Sequence, residues 1–284
     1  MNYHHLLISF LIVSFSAFGQ HKKAYTIFTS EGDEIHYEEL KENVKSSDIL
    51  LFGEQHNSAI AHWLQFELTI DLIENRKVKL GAEMFERDNQ EPLNNFLSDQ
   101  IDQKGLDTLA RLWSNYKTDY APLVKLAKEN KLEFIATNIP RGYASMVFKS
   151  GFEVLDSLAA DEKKWIAPLP IAFDPDLPRY QNILTMMGEH GTPELIKAQA
   201  IKDATMAFSI LENRVENELF IHYNGAYHSD FYEGILWYLK LTEPDLRYKT
   251  ISTVTQKDIS FLEEEHLGKA DFIIVVDENV TTTY

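Results

Sequence analysis

Cysteine is absent from the 284 residues of this chain. A chain without cysteine forms no disulfide and no thiolate metal site, and it has no nucleophilic thiol and no site for covalent attachment of c-type haem. The cysteine that carries the lipid of a bacterial lipoprotein is missing as well, so a lipid anchor on cysteine is excluded. Any chemistry therefore rests on other side chains, above all histidine, carboxylate and tyrosine.

Basic residues are scarce relative to acidic ones. The chain has 27 Lys and Arg against 44 Asp and Glu, which gives a formal net charge of -17 at pH 7. Nucleic acids and anionic membranes bind proteins through basic patches, so the composition argues against both as partners. A small anionic ligand would need a local basic pocket.

Long apolar runs are also missing, with one short exception near the start. Residues 6–18 are apolar over a length that suits the core of a secretory signal peptide better than a membrane span. Ala17, Phe18 and Gly19 follow the small-x-small pattern of a cleavage site before Gln20, although Lys and Arg are absent from the preceding residues. We therefore expect residues 1–19 to be a signal peptide, the product to be exported to the periplasm or secreted, and residues 20–284 to form the mature domain without a transmembrane helix.

The remaining chain has the composition of an ordinary globular protein, with 44% hydrophobic and 12% aromatic residues. Short apolar or β-prone runs alternate with segments of helical periodicity, which predicts an α/β fold with a mostly parallel β-sheet flanked by helices. A hairpin is expected at 25–29 and 34–37. About six core strands are expected at 48–53, 78–84, 132–137, 219–224, 248–254 and 271–276.

The stretch 48–62, DILLFGEQHNSAIAH, is the most informative in the chain. Its four apolar residues suit a strand buried on both faces, and Gly53 ends that run. Glu54 and His56 follow, at the carboxyl end of the strand, where open parallel sheets build their ligand crevice. In extended backbone an i, i+2 pair points to one side, so the two side chains are able to share one site. The alternative is that Glu54 charges the start of the next helix while His56 is a solvated loop residue.

Other predicted strands end in polar residues too. Glu83 ends the second core strand, Asn138 and Arg141 follow the third, and Asn224 and His228 follow the fourth. If these strands are neighbours in one parallel sheet, the side chains meet in one polar crevice. A loop residue at such a place is seldom part of the core, so removal of the His228 imidazole is expected to cost little stability.

Five stretches together resemble the ChaN-like haem-binding uptake family of the Tiki superfamily. They span most of 48–237 and contain Gly-Glu-x-His, Glu-Met-Phe-x-Arg, Asn-x-Pro-Arg and Gly-x-Tyr-His in that order. The stretches are LLFGEQHNSAIAHWLQFEL, LGAEMFERDNQEPL, FIATNIPRGYASMV, AQAIKDATMAFSI and HYNGAYHSDFYEGI.

The resemblance implies an α/β domain with a small helical subdomain, which we expect at about 88–114 and 179–217. It also implies haem as cofactor, bound at a homodimer interface through an axial tyrosine, with a histidine and a lysine of the other subunit on the propionates, in a protein of haem or iron acquisition. Tyrosinate is a suitable ligand for ferric haem. The cofactor-binding candidates are Tyr227, Tyr180, Tyr120, Tyr143, His62, His190 and Arg141; for His62, packing among neighbouring aromatic residues is the competing interpretation.

An enzyme is the second hypothesis, because relatives in the superfamily include hydrolases of ester or peptide bonds. In that case Glu54 or Glu83 is the general base, and both glutamates with His56 and His228 hold a divalent metal. The same four side chains serve both hypotheses. A crevice that admits a flat apolar macrocycle distinguishes them, and the methionines and aromatic residues on the helices at 179–208 favour haem.

Overall fold

The computed structural model describes residues 22–284, so the predicted signal peptide at 1–19 lies outside the described residues. These residues form one eight-stranded sheet with helices on both faces. The strands are β1 (Tyr25–Thr29), β2 (Glu34–Ile35), β3 (Ile49–Glu54), β4 (Val78–Glu86), β5 (Phe134–Asn138), β6 (Leu219–Gly225), β7 (Tyr248–Gln256) and β8 (Phe272–Asp277).

The strand order across the sheet is β2-β1-β8-β7-β3-β6-β4-β5. From β8 to β5 every neighbouring pair is parallel, whereas β1 runs antiparallel to both β8 and β2. The predicted α/β fold with a mostly parallel sheet is therefore confirmed. The hairpin of β1 and β2 extends one edge of this sheet.

Polar side chains cap two of the helices. The hydroxyl of Ser58, which precedes the helix at 59–73, accepts a hydrogen bond of 3.2 Å from the N–H of Ala61. Asp102 caps the helix that ends at Leu109, because its side chain accepts a hydrogen bond from the N–H of Gly105. The helices are α1 (Tyr37–Val44), α2 (Ala59–Ile73), α3 (Gln90–Leu97), α4 (Gln103–Leu109), α5 (Ala121–Glu129), α6 (Arg141–Ser150), α7 (Pro178–Met187), α8 (Pro193–Asn213) and α9 (Ile235–Thr242). Between residues 22 and 284, no helix is both long enough and apolar enough to cross a membrane.

Strand β3 shows how the sheet is covered on both faces. Leu50 and Phe52 belong to the larger core, which contains residues of α1 to α5, while Ile49 and Leu51 belong to a second core with residues of α8 and α9. All four side chains are at most 1% exposed. A continuous apolar run is what a strand between two layers of helices requires.

The two segments expected to form a helical subdomain contribute to different cores. Leu93 and Leu106, from the first segment, pack in the larger core, whereas Ile196 and Met206 of the second pack on the other side of the sheet or in a small cluster around Tyr180. A separate helical subdomain stays a prediction. Met206 is a fully buried core residue, which is the usual place of a methionine on a helix.

Candidate functional site

The position of β6 between β3 and β4 creates the candidate site. β3 carries Glu54 at its carboxyl end, β4 carries Glu83 just beyond its last pair with β6, and β6 ends at Gly225 between the two glutamates. The turn after β6 then returns His228 over the same edge. Three strand ends that are far apart in the sequence thus deliver their polar side chains to one place.

Glu54 is the centre of the first half of this site and is only 2% exposed. Its Oε1 accepts a hydrogen bond of 2.8 Å from the Tyr120 hydroxyl and lies 2.9 Å from His56 Nδ1. Its Oε2 accepts a hydrogen bond of 2.6 Å from Gln65 Nε2. A carboxylate so enclosed does not serve as a surface charge at the start of α2, which Ser58 caps instead.

His62 lies behind Glu54 on the first turn of α2 and is 8% exposed. Its Nε2 lies 2.9 Å from the backbone oxygen of His56 and 3.7 Å from Asp119 Oδ2, while its Nδ1 lies 3.6 Å from Glu54 Oε2. The ring also packs edge-to-face on Tyr120, with centroids 5.3 Å apart. These contacts hold the loop of His56 in place. His62 is thus packed among aromatic and polar neighbours.

The second half of the site is a chain of buried polar contacts around His228. Its Nε2 lies 3.2 Å from Glu83 Oε1, and its Nδ1 lies 2.5 Å from Asp203 Oδ1. Glu83 also accepts a hydrogen bond of 2.7 Å from the N–H of Gly225, and Asp203 accepts one of 3.0 Å from the Tyr180 hydroxyl. His228 is only 7% exposed, so the expectation that it is a loop residue outside the core is wrong.

Two carboxylates around one imidazole set the charge of the second half. Burial alone lowers the pKa of His228, but the charges of Glu83 and Asp203 outweigh burial and raise this pKa to about 10. For Glu83 the effect of burial has the opposite sign and raises the pKa. The charge and the hydrogen bond of His228 outweigh burial and bring the pKa of Glu83 well below its ordinary value. At neutral pH, His228 is therefore a protonated imidazolium paired with an ionised Glu83.

Gly225 joins the two halves, because it leaves room for His56. A Cβ at this position would lie 2.8 Å from His56 Nε2 and 3.5 Å from Glu83 Oε2. Burial lowers the pKa of His56, but the hydrogen bond with Glu54 and the charge of Glu83 more than offset it, so this pKa is raised. The structure thus brings Glu54, His56, Glu83 and His228 into one continuous cluster.

These four residues do not form a compact metal centre in the described chain. Within residues 22–284, the group of His and carboxylate side chains that places three ligand atoms within 4.8 Å of one another is Glu263, Glu265 and His266, elsewhere in the fold. Both ring nitrogens of His228 lie against carboxylate oxygens, so a metal would bind there only with release of a proton. A divalent metal on the predicted set of His56, His228, Glu54 and Glu83 stays a prediction.

The four candidate tyrosines fall into two classes. Tyr120 and Tyr180 are each 2% exposed, and each donates its hydroxyl proton to a buried carboxylate. Burial and the neighbouring carboxylate raise the pKa of both. Tyr143 and Tyr227 are half-buried. The Tyr143 hydroxyl lies 3.2 Å from Glu162 Oε1, and the Tyr227 hydroxyl lies 3.0 Å from Asn182 Oδ1.

The remaining cofactor candidates lie outside the cluster. Arg141 is exposed at the first residue of α6, and His190 is exposed in the short turn that follows α7. Neither residue contacts the four strand-end side chains among the contacts of residues 22–284. Their roles as cofactor-binding residues stay predictions.

Sequence reasoning missed several members of the cluster. Asp203 lies on α8 and is 1% exposed. Gln65, which contacts Glu54, and Asp119, which contacts His62, are 0% and 2% exposed. A weak signal for Asp203 was present, because it stands on a predicted helix in the stretch AQAIKDATMAFSI, three residues after Ala200 and four before Ala207, on a face rich in small apolar residues.

The fold and site define an α/β protein with a buried cluster of carboxylates and histidines at the carboxyl edge of a parallel sheet. The sequence profile of a family described as haem-binding uptake, Tiki superfamily, ChaN matches residues 40–239. The chain therefore belongs to this family. A comparison with curated proteins finds no match.

Solved structures show the same fold. ChaN of Campylobacter jejuni, whose structure shows cofacial haem binding, is 17% identical and has a TM-score of 0.67, with 91% of this chain and 99% of that chain covered. A succinoglycan biosynthesis protein is 11% identical with a TM-score of 0.54, covering 87% of this chain and 94% of its own. A protein from Bacillus cereus is 11% identical with a TM-score of 0.50, covering 84% and 90%. At these identities the likeness concerns the fold alone.

Proposed function

We propose that this protein is an exported haem-binding protein that serves haem or iron acquisition and binds haem at the interface of a homodimer. The observation that carries the proposal is membership of the haem-binding uptake family over residues 40–239. The likeness in fold to Campylobacter jejuni ChaN over 91% of this chain is consistent with it.

The outer face of α7 offers a surface that suits haem. Met186 is 71% exposed and Met187 is 46% exposed. Met186 lies one turn after Asn182, whose side chain contacts the Tyr227 hydroxyl, so the two residues share one face of the helix. His190 follows in the next turn. A phenol oxygen suits the iron, apolar thioethers suit the face of the macrocycle, and a histidine suits a propionate.

Tyrosine accessibility separates the axial candidates. Ferric haem takes tyrosine as the anion, but Tyr120 and Tyr180 each lie against an acidic side chain, at 2.8 Å from Glu54 and 3.0 Å from Asp203. Loss of the phenol proton there would bring two anions into contact in a buried place. The half-buried Tyr227, whose hydroxyl contacts no carboxylate, is therefore the first candidate. Tyr143 is second, because its hydroxyl also meets a carboxylate, Glu162 Oε1 at 3.2 Å, but at a less buried position.

The cofactor and the dimer are one surface in this proposal. If one subunit ligates the iron while its partner holds the propionates, haem binding and dimerisation strengthen each other by thermodynamic linkage. Exposed methionines on α7 would then be covered in the complex, which explains why large apolar side chains lie there.

Haemin titration followed in the Soret region tests haem binding. We expect a saturable Soret shift in the wild-type chain and loss of that shift in the ligand variant among Tyr227→Phe, Tyr143→Phe, Tyr180→Phe and Tyr120→Phe. Phenylalanine keeps the ring and removes only the coordinating oxygen. Tyr248→Phe is the matched control, because Tyr248 is the first residue of β7 and therefore lies at the amino ends of the parallel strands, away from the carboxyl ends that build the site.

Sedimentation with and without haemin tests the dimer. A haemin-dependent shift from monomer to dimer supports the proposal. A chain that shows no Soret shift at micromolar haemin, or one whose oligomeric state ignores haemin, contradicts the corresponding part.

A metal-dependent hydrolase is the second candidate, favoured by one observation: two glutamates and two histidines lie in one cluster at the carboxyl edge of the sheet. Both oxygens of Glu54 are already engaged, by Tyr120 and by Gln65, which favours haem over a general base at Glu54. Elemental analysis and an ester or peptide cleavage assay decide. A bound transition metal together with cleavage that Glu54→Gln abolishes would establish the hydrolase.

A further inference from the structure

A pair of buried cations lies beside the turn that carries His228. The side chains of Arg179 and Lys269 are each 14% exposed, in a chain whose net charge is -17. Both face the same carboxylate oxygen, Asp230 Oδ2, at 3.8 and 3.9 Å. Both distances are those of ion pairs but exceed hydrogen-bond length, so neither cation donates a hydrogen bond to Asp230.

Arg179 has hydrogen-bond donors that the protein does not satisfy. Its Nε is fully buried without an acceptor in the described chain. The guanidinium carbon lies 3.6 Å from the centroid of the Tyr227 ring, so an aromatic face covers one side of the group. A buried arginine is normally fully hydrogen-bonded, because an unmet donor is costly. Nε–H is one unmet donor, and the terminal nitrogens reach Asp230 only at ion-pair distance, so the guanidinium of Arg179 has no hydrogen-bonded acceptor among residues 22–284.

The two neighbouring carboxylates accept their hydrogen bonds from other groups. Asp230 Oδ1 accepts a hydrogen bond of 2.6 Å from the Ser252 hydroxyl, while its Oδ2 faces the two cations at ion-pair distance. Glu233 accepts a hydrogen bond of 2.8 Å from the backbone N–H of Arg179, in the first turn of α7. By these contacts, neither carboxylate accepts a hydrogen bond from a side-chain nitrogen of Arg179.

A strained turn lies beside Arg179 and Lys269. Phe231 and Tyr232 have φ values of 59° and 62°, in the left-handed region that side chains with a Cβ rarely adopt. The Phe231 ring lies between the cations, with centroid distances of 5.3 Å to Arg179 and 5.7 Å to Lys269. Strain of this kind is held at ligand-binding turns, where the surrounding contacts compensate for it.

We propose that Arg179, with Lys269 beside it, binds a carboxylate at the edge of the crevice next to Tyr227. The planar edge of a guanidinium matches the two oxygens of a carboxylate, and its aromatic neighbours stack on the flat face and leave that edge to the ligand. A dianion such as phosphate fits less well, because Asp230 and Glu233 already place negative charge nearby.

Carboxylate binding by Arg179 and Lys269 does not require haem, and acetate is therefore used as the probe. Thermal unfolding is compared in sodium acetate and in sodium chloride of equal ionic strength at pH 7. Acetate should raise the melting temperature of the wild-type chain by mass action. Arg179→Gln should weaken the apparent affinity for acetate by about tenfold or more, and Arg179→Lys by less, because charged bidentate contacts are lost.

Lys104→Gln is the matched control, since it removes one positive charge from an exposed position on α4. It should retain the full acetate effect. Equal melting temperatures in acetate and chloride for the wild-type chain would overturn the proposal, as would an acetate effect that Arg179→Gln leaves intact. A larger effect of phosphate than of acetate would overturn the assignment to a carboxylate.

Haemin and its dimethyl ester then distinguish the sources of the carboxylate. If a haem propionate binds Arg179, haemin should bind the wild-type chain about tenfold or more tighter than the ester does. Arg179→Gln should then bind haemin and the ester equally well. A free small carboxylate leaves the two haem forms alike while acetate still binds. If haemin does not bind at all, the proposed function fails, and the acetate comparison still decides this proposal.

Discussion

Replacement of His228 by alanine should destabilise the protein strongly. The change removes a buried imidazolium and leaves Glu83 Oε1 and Asp203 Oδ1, which lie 3.2 and 2.5 Å from its two nitrogens, facing an empty space. Breaking a buried ion pair by removal of one partner costs about 3 to 5 kcal/mol, because the remaining charge is uncompensated. This cost is a large fraction of a typical domain's stability of about 5 to 15 kcal/mol.

The pH dependence of this loss follows from the raised pKa of His228. A group whose pKa is higher in the folded state contributes its full stabilisation below its ordinary pKa of 6.5 and loses it as pH rises toward about 10. In His228→Ala, burial without a cation raises the pKa of the two carboxylates, so the variant regains stability as pH falls and they take up protons. The difference between wild type and variant should be largest near pH 7 and smaller at pH 5 and pH 9.5.

Urea unfolding followed by tryptophan fluorescence at these three pH values measures the difference. His190→Ala is the matched control, because His190 is exposed, and its removal should change the free energy of unfolding by less than about 0.5 kcal/mol. A loss below about 1 kcal/mol in His228→Ala at pH 7 and no change with pH would refute the assignment of a buried imidazolium.

Three further predictions concern the rest of the site and the start of the chain. Gly225→Ala should displace the His56 ring, because the new Cβ would lie 2.8 Å from Nε2, and the histidine signals in an NMR spectrum should show the shift. Tyr120→Phe should cost about 1 to 2 kcal/mol in urea unfolding, since it deprives the buried Glu54 of a hydroxyl donor at 2.8 Å. An intact-mass measurement of the exported protein should show a chain that begins at or near Gln20, and recovery of the full-length chain in the cytoplasm would contradict the signal-peptide hypothesis.

Local patterns in the sequence were sufficient for the elements and for part of the site. The apolar run before Gly53 predicts a strand buried on both faces, and the structure confirms it. Asn57 and Ser58 are both possible N-caps of α2 by sequence, and the structure selects Ser58. Glu54 Oε1 and His56 Nδ1 lie 2.9 Å apart, so the predicted shared site of this pair is present. The backbone at His56 is a turn and not the extended backbone that the prediction assumed. Information of this kind lies within a few residues of the chain, where backbone geometry decides which side chains meet.

Only the tertiary structure decided which strands are neighbours and what surrounds each polar group. The insertion of β6 between β3 and β4 is not encoded in any local pattern, yet it brings Gly225 between Glu54 and Glu83. Asp203 reaches His228 from a helix 25 residues earlier in the chain. Burial between these carboxylates turns His228 from an apparent loop residue into a buried cation, because charge state depends on the neighbours that packing supplies and not on sequence position.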